Sequence, residues 1–139
     1  MNPPIVVAYG MGVDSTAMLI GMCHREIKPD LILFADTGSE KPETYAYLPV
    51  IQQWLAKVGF PPVTVVKYRP KRAKYTTLEE NCLINKTLPS LAFGRKACSL
   101  KWKRQPQDRY CNNWQPAKDC WDSGLKVIKA IGYDTSPRE

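Results

Sequence analysis

Four short apolar runs mark out the chain: Ile5-Val6-Val7-Ala8, Leu31-Ile32-Leu33-Phe34-Ala35, Val63-Thr64-Val65-Val66 and Val127-Ile128-Lys129-Ala130-Ile131. They are mostly apolar rather than alternating, and β-branched residues are frequent in three of them, which predicts strands buried on both faces, as a parallel sheet requires. Between the first two lie residues 14–25, rich in Ala, Met, Leu and Ile and stopped before Pro29, long enough for a helix. The next helix is predicted near Pro42, a favoured first-turn residue, with Leu48, Ile51, Leu55 and Val58 on one face. Pro49 is expected to kink it or to mark its true start, and Gly59 to end it before the third strand.

Thr77-Leu78-Glu79-Glu80 has the pattern of a capping box and predicts a helix over 79–85. The segment 87–107 that follows carries Pro89, Gly94 and Pro106 and has little periodicity. A loop of that length in a compact domain is usually functional or mobile, and its five positive charges favour function. A last helix within 107–122 feeds the fourth strand. The order β-α-β-α-β-α-loop-α-β argues for an α/β fold, a three-layer sandwich around a mainly parallel, Rossmann-like sheet with right-handed crossovers.

Composition narrows the picture. With 139 residues, 44% of them hydrophobic, the expectation is a single domain spanning 1–139 with one continuous core. The apolar runs fall far short of the roughly 20 residues that cross a bilayer. Met1-Asn2-Pro3-Pro4 lacks the charged and apolar regions of a signal peptide, so the expected setting is cytoplasmic, with no membrane partner. The five cysteines, Cys23, Cys82, Cys98, Cys111 and Cys120, are odd in number, widely spread and without a Cys-x-x-Cys pair, which argues against a disulfide framework and gives poor support to a zinc site. The net charge of +7 is more informative. Half of the 20 basic residues fall in two segments: Lys67, Arg69, Lys71, Arg72 and Lys74, then Arg95, Lys96, Lys101, Lys103 and Arg104. Such clusters suit an anion, whether a nucleotide, a sulfate ester or a nucleic-acid backbone meeting segments 67–74 and 95–104; a solvated basic surface is the plain alternative.

The first strand runs into Tyr9-Gly10-Met11-Gly12-Val13-Asp14-Ser15. Ligands of open parallel sheets bind beyond the carboxyl ends of the strands, and a glycine turn feeding a helix presents bare N–H groups to an anion. Asp14 or Ser15 is expected to start that helix, and Asp14 to cap it or to hold a Mg²⁺ ion. A Walker loop is excluded because its Lys is missing. The dinucleotide fingerprint Gly-x-Gly-x-x-Gly fits at Gly10 and Gly12, with Asp36 at a suitable distance for a ribose, but it fails at Ser15.

Gly10-Met11-Gly12-Val13-Asp14-Ser15, with Thr16-Ala17-Met18-Leu19 after it, resembles the Ser-Gly-Gly-x-Asp-Ser motif of the PP-loop superfamily, the adenine nucleotide alpha hydrolase-like proteins. Phe34-Ala35-Asp36-Thr37-Gly38 and Pro42-Glu43-Thr44-Tyr45 resemble the Asp-Thr-Gly and Pro-Glu-Thr signatures of its phosphoadenosine phosphosulfate reductase branch. Cys98-Ser99-Leu100-Lys101-Trp102-Lys103 with Pro106 is similar to that branch's Cys-x-x-x-Lys-x-x-Pro region, and 132–138 to its glycine-to-arginine segment. The resemblance implies a protein that binds ATP or its phosphosulfate relative and acts at the phosphate or phosphosulfate group. It implies phosphate contacts from Gly10, Gly12, Asp14 and Ser15, and contacts to the rest of the nucleotide around Ala8, Tyr9, Phe34 and Asp36. It places Arg95, Lys101 and Lys103 as neutralising charges and Cys98 as a thiol whose neighbours Arg95 and Lys96 favour thiolate.

The motif is not complete. Gly10 stands where the family has Ser and Met11 where it has Gly; no Glu-Cys-Gly-Leu-like tail follows Arg138, and no iron-sulfur cysteine pattern is present. A minimal or truncated version of the fold is therefore expected. A nucleotide- or nucleic-acid-binding module without catalysis and a Rossmann dinucleotide-binding protein stand as alternatives, and assembly with further copies of the chain is left open.

Overall fold

The computed structural model describes residues 2–38, 40–67 and 103–132, together with Thr77 and Leu83. The four apolar runs are strands: β1 (Ile5–Ala8), β2 (Leu31–Ala35), β3 (Val63–Val66) and β4 (Ile128–Ile131). They form one sheet in the order β3-β2-β1-β4, parallel throughout. From β1 the chain steps outward to β2 and β3, then returns to place β4 on the other side of β1. The direction of winding thus reverses between β1 and β4, and a crevice opens there at the carboxyl ends of the strands.

The pleat sorts the core into two faces. Val7, Ile32, Phe34 and Val63 meet Leu19 and Met22 of helix α1 (Val13–His24) and Ile51 and Leu55 of helix α2 (Pro42–Val58). Val6, Leu31 and Leu33 point the other way, onto Cys111 of helix α3 (Gln105–Asn113) and onto Trp114. Helix α4 (Gln115–Asp122) follows directly. Helices on both faces of a parallel sheet give the expected three layers, and β2, which lies between β1 and β3, is buried along its whole length.

Several element boundaries differ from expectation. Helix α1 begins at Val13 rather than at Asp14 or Ser15, because extended Gly12 is its N-cap and the Gly12 carbonyl accepts the Thr16 N–H at 3.1 Å. Asp14 therefore lies inside the first turn and does not cap the helix. Helix α2 starts at Pro42 and runs through Pro49, which neither opens nor ends it. Pro49 is exposed, and the one helical bond it cannot make is to the carbonyl of half-buried Tyr45. Gly59 ends α2 in the left-handed conformation at φ 80°, as its type suggests.

The expected single helix in 107–122 is two helices. Pro116 has no N–H for the carbonyl four residues back, so the helix stops and restarts with extended Trp114 as the new N-cap. Pro106 lies in the first turn of α3 rather than in a loop, so the expected irregular segment ends before Gln105. Residues 87–102 of that segment and the predicted helix over 79–85 lie outside the described residues, apart from helical Leu83.

Candidate functional site

The turn from β1 into α1 is held from beneath by Tyr9. Its N–H continues the sheet by donating to Leu33 O at 2.8 Å, and its fully buried side chain places the phenol oxygen 2.8 Å from Thr16 Oγ1 in the first turn of α1. Burial pushes the phenol's pKa up, with the Thr16 hydrogen bond acting the other way. Met11 sits in the left-handed region at φ 59°, a conformation costing an L-residue about 1–2 kcal/mol. Its side chain is 8% exposed and belongs to the core cluster around α1 and α2, so apolar burial offsets the backbone cost.

Among the described residues no side chain caps α1. Its first-turn amides have no intrahelical acceptor, and at a helix N-terminus they carry partial positive charge towards the cleft beyond the loop. The Ser15 hydroxyl is buried and donates to Gly12 O at 3.4 Å.

That cleft, about 670 Å³, is lined by Gly10, Gly12, Val13, Asp14 and Ser15 on one wall and by Lys103, Arg104, Gln107 and Lys129 on the other. Ala8 and Ile131 contribute the ends of β1 and β4, and Gly132 closes the floor. A side chain at Gly132 is impossible without movement: a Cβ there would stand 2.8 Å from Ser15 N and Ser15 Cα. The cleft lies where the winding reverses, and its volume is that of a small-molecule site.

Two of the three cations among the described lining residues are held by one carboxylate. Asp108 Oδ2 lies 3.4 Å from Arg104 Nε, and Asp108 Oδ1 lies 3.3 Å from Lys129 Nζ. Among the described cleft-lining residues Asp14 is the one carboxylate. No cluster of three potential metal ligands exists among the described residues. Mg²⁺ commonly binds through one or two carboxylates plus substrate phosphates, so Asp14 fits an ion that arrives with a nucleotide better than a resident one.

Ala8, Gly10, Gly12, Asp14, Ser15 and Lys103 of the residues expected at the site are thus brought together. Tyr9 and Phe34 are turned into the core on the α1 and α2 face and do not line the cleft. Asp36 is not a lining residue either: its Oδ1 accepts from Gly38 N at 2.8 Å and from Tyr45 Oη at 2.7 Å, bracing the turn from β2 into α2. Arg95, Cys98 and Lys101, and the basic residues of 67–74 beyond Lys67, lie outside the described residues. Gln107 and Lys129 had not been expected at the site. Lys129 was detectable as the lone charge in an otherwise apolar strand run, and Gly132 as a glycine just past a strand end, like Gly10.

A family model for the phosphoadenosine phosphosulfate reductase domain matches residues 4–102, well over half of the chain. The chain belongs to this family. No curated protein and no solved structure matches it significantly. Membership of the phosphoadenosine phosphosulfate reductase domain family sets the dinucleotide reading aside and brings the chain into the PP-loop superfamily. The match covers the glycine loop and the turn after β2 but stops before α3. The reductase-domain family match therefore accounts for one wall of the cleft, while Lys103, Arg104, Gln107 and Lys129 form the other from residues beyond it. No described helix of this family member is long and apolar enough to cross a membrane.

Proposed function

We propose that the cleft takes ATP or its phosphosulfate relative by the phosphates, and that the protein is an enzyme acting at the phosphate or phosphosulfate group. The observation that carries this reading is the convergence of an uncapped helix N-terminus with Lys103, Arg104 and Lys129 on one small-molecule cleft at the switch point of the sheet. Either feature alone suits any anion; together they match a chain of phosphates, charged along its length.

In this reading the first-turn amides of α1 hold one phosphate and the glycine loop lets its backbone come close. Gly12 adds no Cβ, and no described residue lies within 4 Å of where one would project. Lys103, Arg104 and Lys129 on the facing wall neutralise charge that develops on the transferred or departing group. Phosphoryl-type chemistry depends mainly on such positioning and compensation. Ala8 and Ile131 offer strand-end surface for the rest of the nucleotide. Asp14 would hold a Mg²⁺ ion bound with the phosphates, which would supply further charge neutralisation. A cytoplasmic setting belongs to the same proposal, on the odd number and wide spread of the five cysteines.

Calorimetric titration with ATP and with the phosphosulfate nucleotide, with and without Mg²⁺, tests the reading. The wild-type chain is expected to bind, and Lys129→Ala to weaken binding by about tenfold, the worth of one charge-assisted hydrogen bond. Absence of binding to either nucleotide at millimolar concentration would sink the proposal. Salt-sensitive retention of nucleic acid in its place would point to a binding module instead.

A further inference from the structure

We infer that Asp108, which does not line the cleft, is a positioning residue that aims Arg104 and Lys129 at the bound anion. This rests on the reading of the cleft as a phosphate site. Arg104 precedes α3 and Lys129 lies on β4, so the two cations reach the cleft from different elements, and their long side chains have many rotamers to lose. Asp108, one turn after Arg104, holds both, one through each carboxylate oxygen.

The atom used on Arg104 matters. Asp108 engages Nε, at 3.4 Å, which leaves the paired terminal nitrogens of the guanidinium for a bidentate contact with phosphate. On Lys129 it engages one of three donor directions and leaves two. Both pairs are exposed, and exposed ion pairs add little to folding stability, so a stabilising role alone is a weak account of the arrangement. Pre-ordering the side chains before the ligand arrives lowers the entropy lost on binding.

Loss of the Asp108 carboxylate acts with a sign opposite to that of simple electrostatics. Removing the Asp108 charge makes the cleft more positive, so a field effect alone would tighten anion binding. Loss of positioning weakens it. Inorganic pyrophosphate, which has no base or ribose, is the probe, titrated into the intact chain.

Asp108→Asn is expected to weaken pyrophosphate binding by about tenfold. Asp108→Glu should restore most of the loss, and Asp108→Asn should add little once Arg104 and Lys129 are both replaced by Ala, because the effect acts through them. The thermal midpoint of Asp108→Asn should stay close to that of the wild type. Wild-type binding that Asp108→Asn leaves unchanged or tightens overturns the inference while leaving the cleft reading intact. A loss that Glu does not rescue, or one that persists in full without Arg104 and Lys129, overturns it as well. Failure of the wild-type chain to bind pyrophosphate and both nucleotides overturns the cleft reading and this role together.

Discussion

Gly132 shows how closely single residues fix the cleft. Its φ is not the constraint; the backbone of α1 is, since a Cβ would meet Ser15 N and Cα at 2.8 Å. Those atoms belong to a helix start whose amides face the cleft and cannot yield as a flexible side chain does. Gly132→Ala is therefore expected to push β4 and α1 apart, costing about 1–3 kcal/mol in denaturant unfolding and weakening phosphate binding beyond that loss. Unchanged stability with unchanged nucleotide titration would show that the floor can move freely. Met11 makes the contrasting case. A left-handed methionine in a glycine loop reads from sequence as a defect, yet its side chain fills the core beneath α1 and α2, a compensation that no local pattern reveals. Asp36 is the reverse. Its position after β2 suggested a ligand contact, whereas its Oδ1 accepts from Gly38 N and from the Tyr45 hydroxyl and braces the turn into α2.

Elements deliver these residues to the site. Helix α2 was legible because Leu48, Ile51, Leu55 and Val58 recur at helical spacing; Ile51 and Leu55 are buried and Leu48 packs beside them. Gln52 then fixes α2 to the start of β3, donating from Nε2 to Val63 O at 3.1 Å and accepting from Val63 N at 2.8 Å. Leu55 is fully buried between the helices and the sheet, so Leu55→Ala should cost about 2–5 kcal/mol, measured as a drop in the denaturant midpoint at unchanged slope. A change below about 0.5 kcal/mol would mean that the site collapses around the gap. The pair α3 and α4 was less legible. Their apolar pattern is sparse, and the break at Trp114 hangs on the single residue Pro116, which lacks the N–H that would continue α3. Yet this poorly marked region carries Lys103, Arg104 and Gln107 to the cleft.

For the whole molecule, the tyrosines give a pH dependence whose sign is fixed. Burial raises the pKa of Tyr9, and burial followed by the hydrogen bond to Asp36 raises that of Tyr45, each from an ordinary value of 10.0. A group with a raised folded pKa holds its proton longer in the folded chain than in the unfolded one. Its contribution is complete below the unfolded value and is lost as pH rises through the folded one. Stability should thus fall as pH climbs above about 10, and the fall should flatten when Tyr9 and Tyr45 are both replaced by Phe. Identical alkaline profiles for the two proteins would assign the loss to other groups. The sequence by itself determined the strands, the two leading helices, the glycine loop and the clustering of positive charge, because these follow from local periodicity, turn chemistry and composition. Only the tertiary structure decided which face of each strand meets which helix, that β4 returns beside β1, and that Lys129, Gly132 and Arg104 meet the loop across one cleft. The physical reason is that sheet order and the approach of distant segments depend on packing among residues more than 100 positions apart in the chain, such as Gly132 and Ser15, which leave no periodic trace along it.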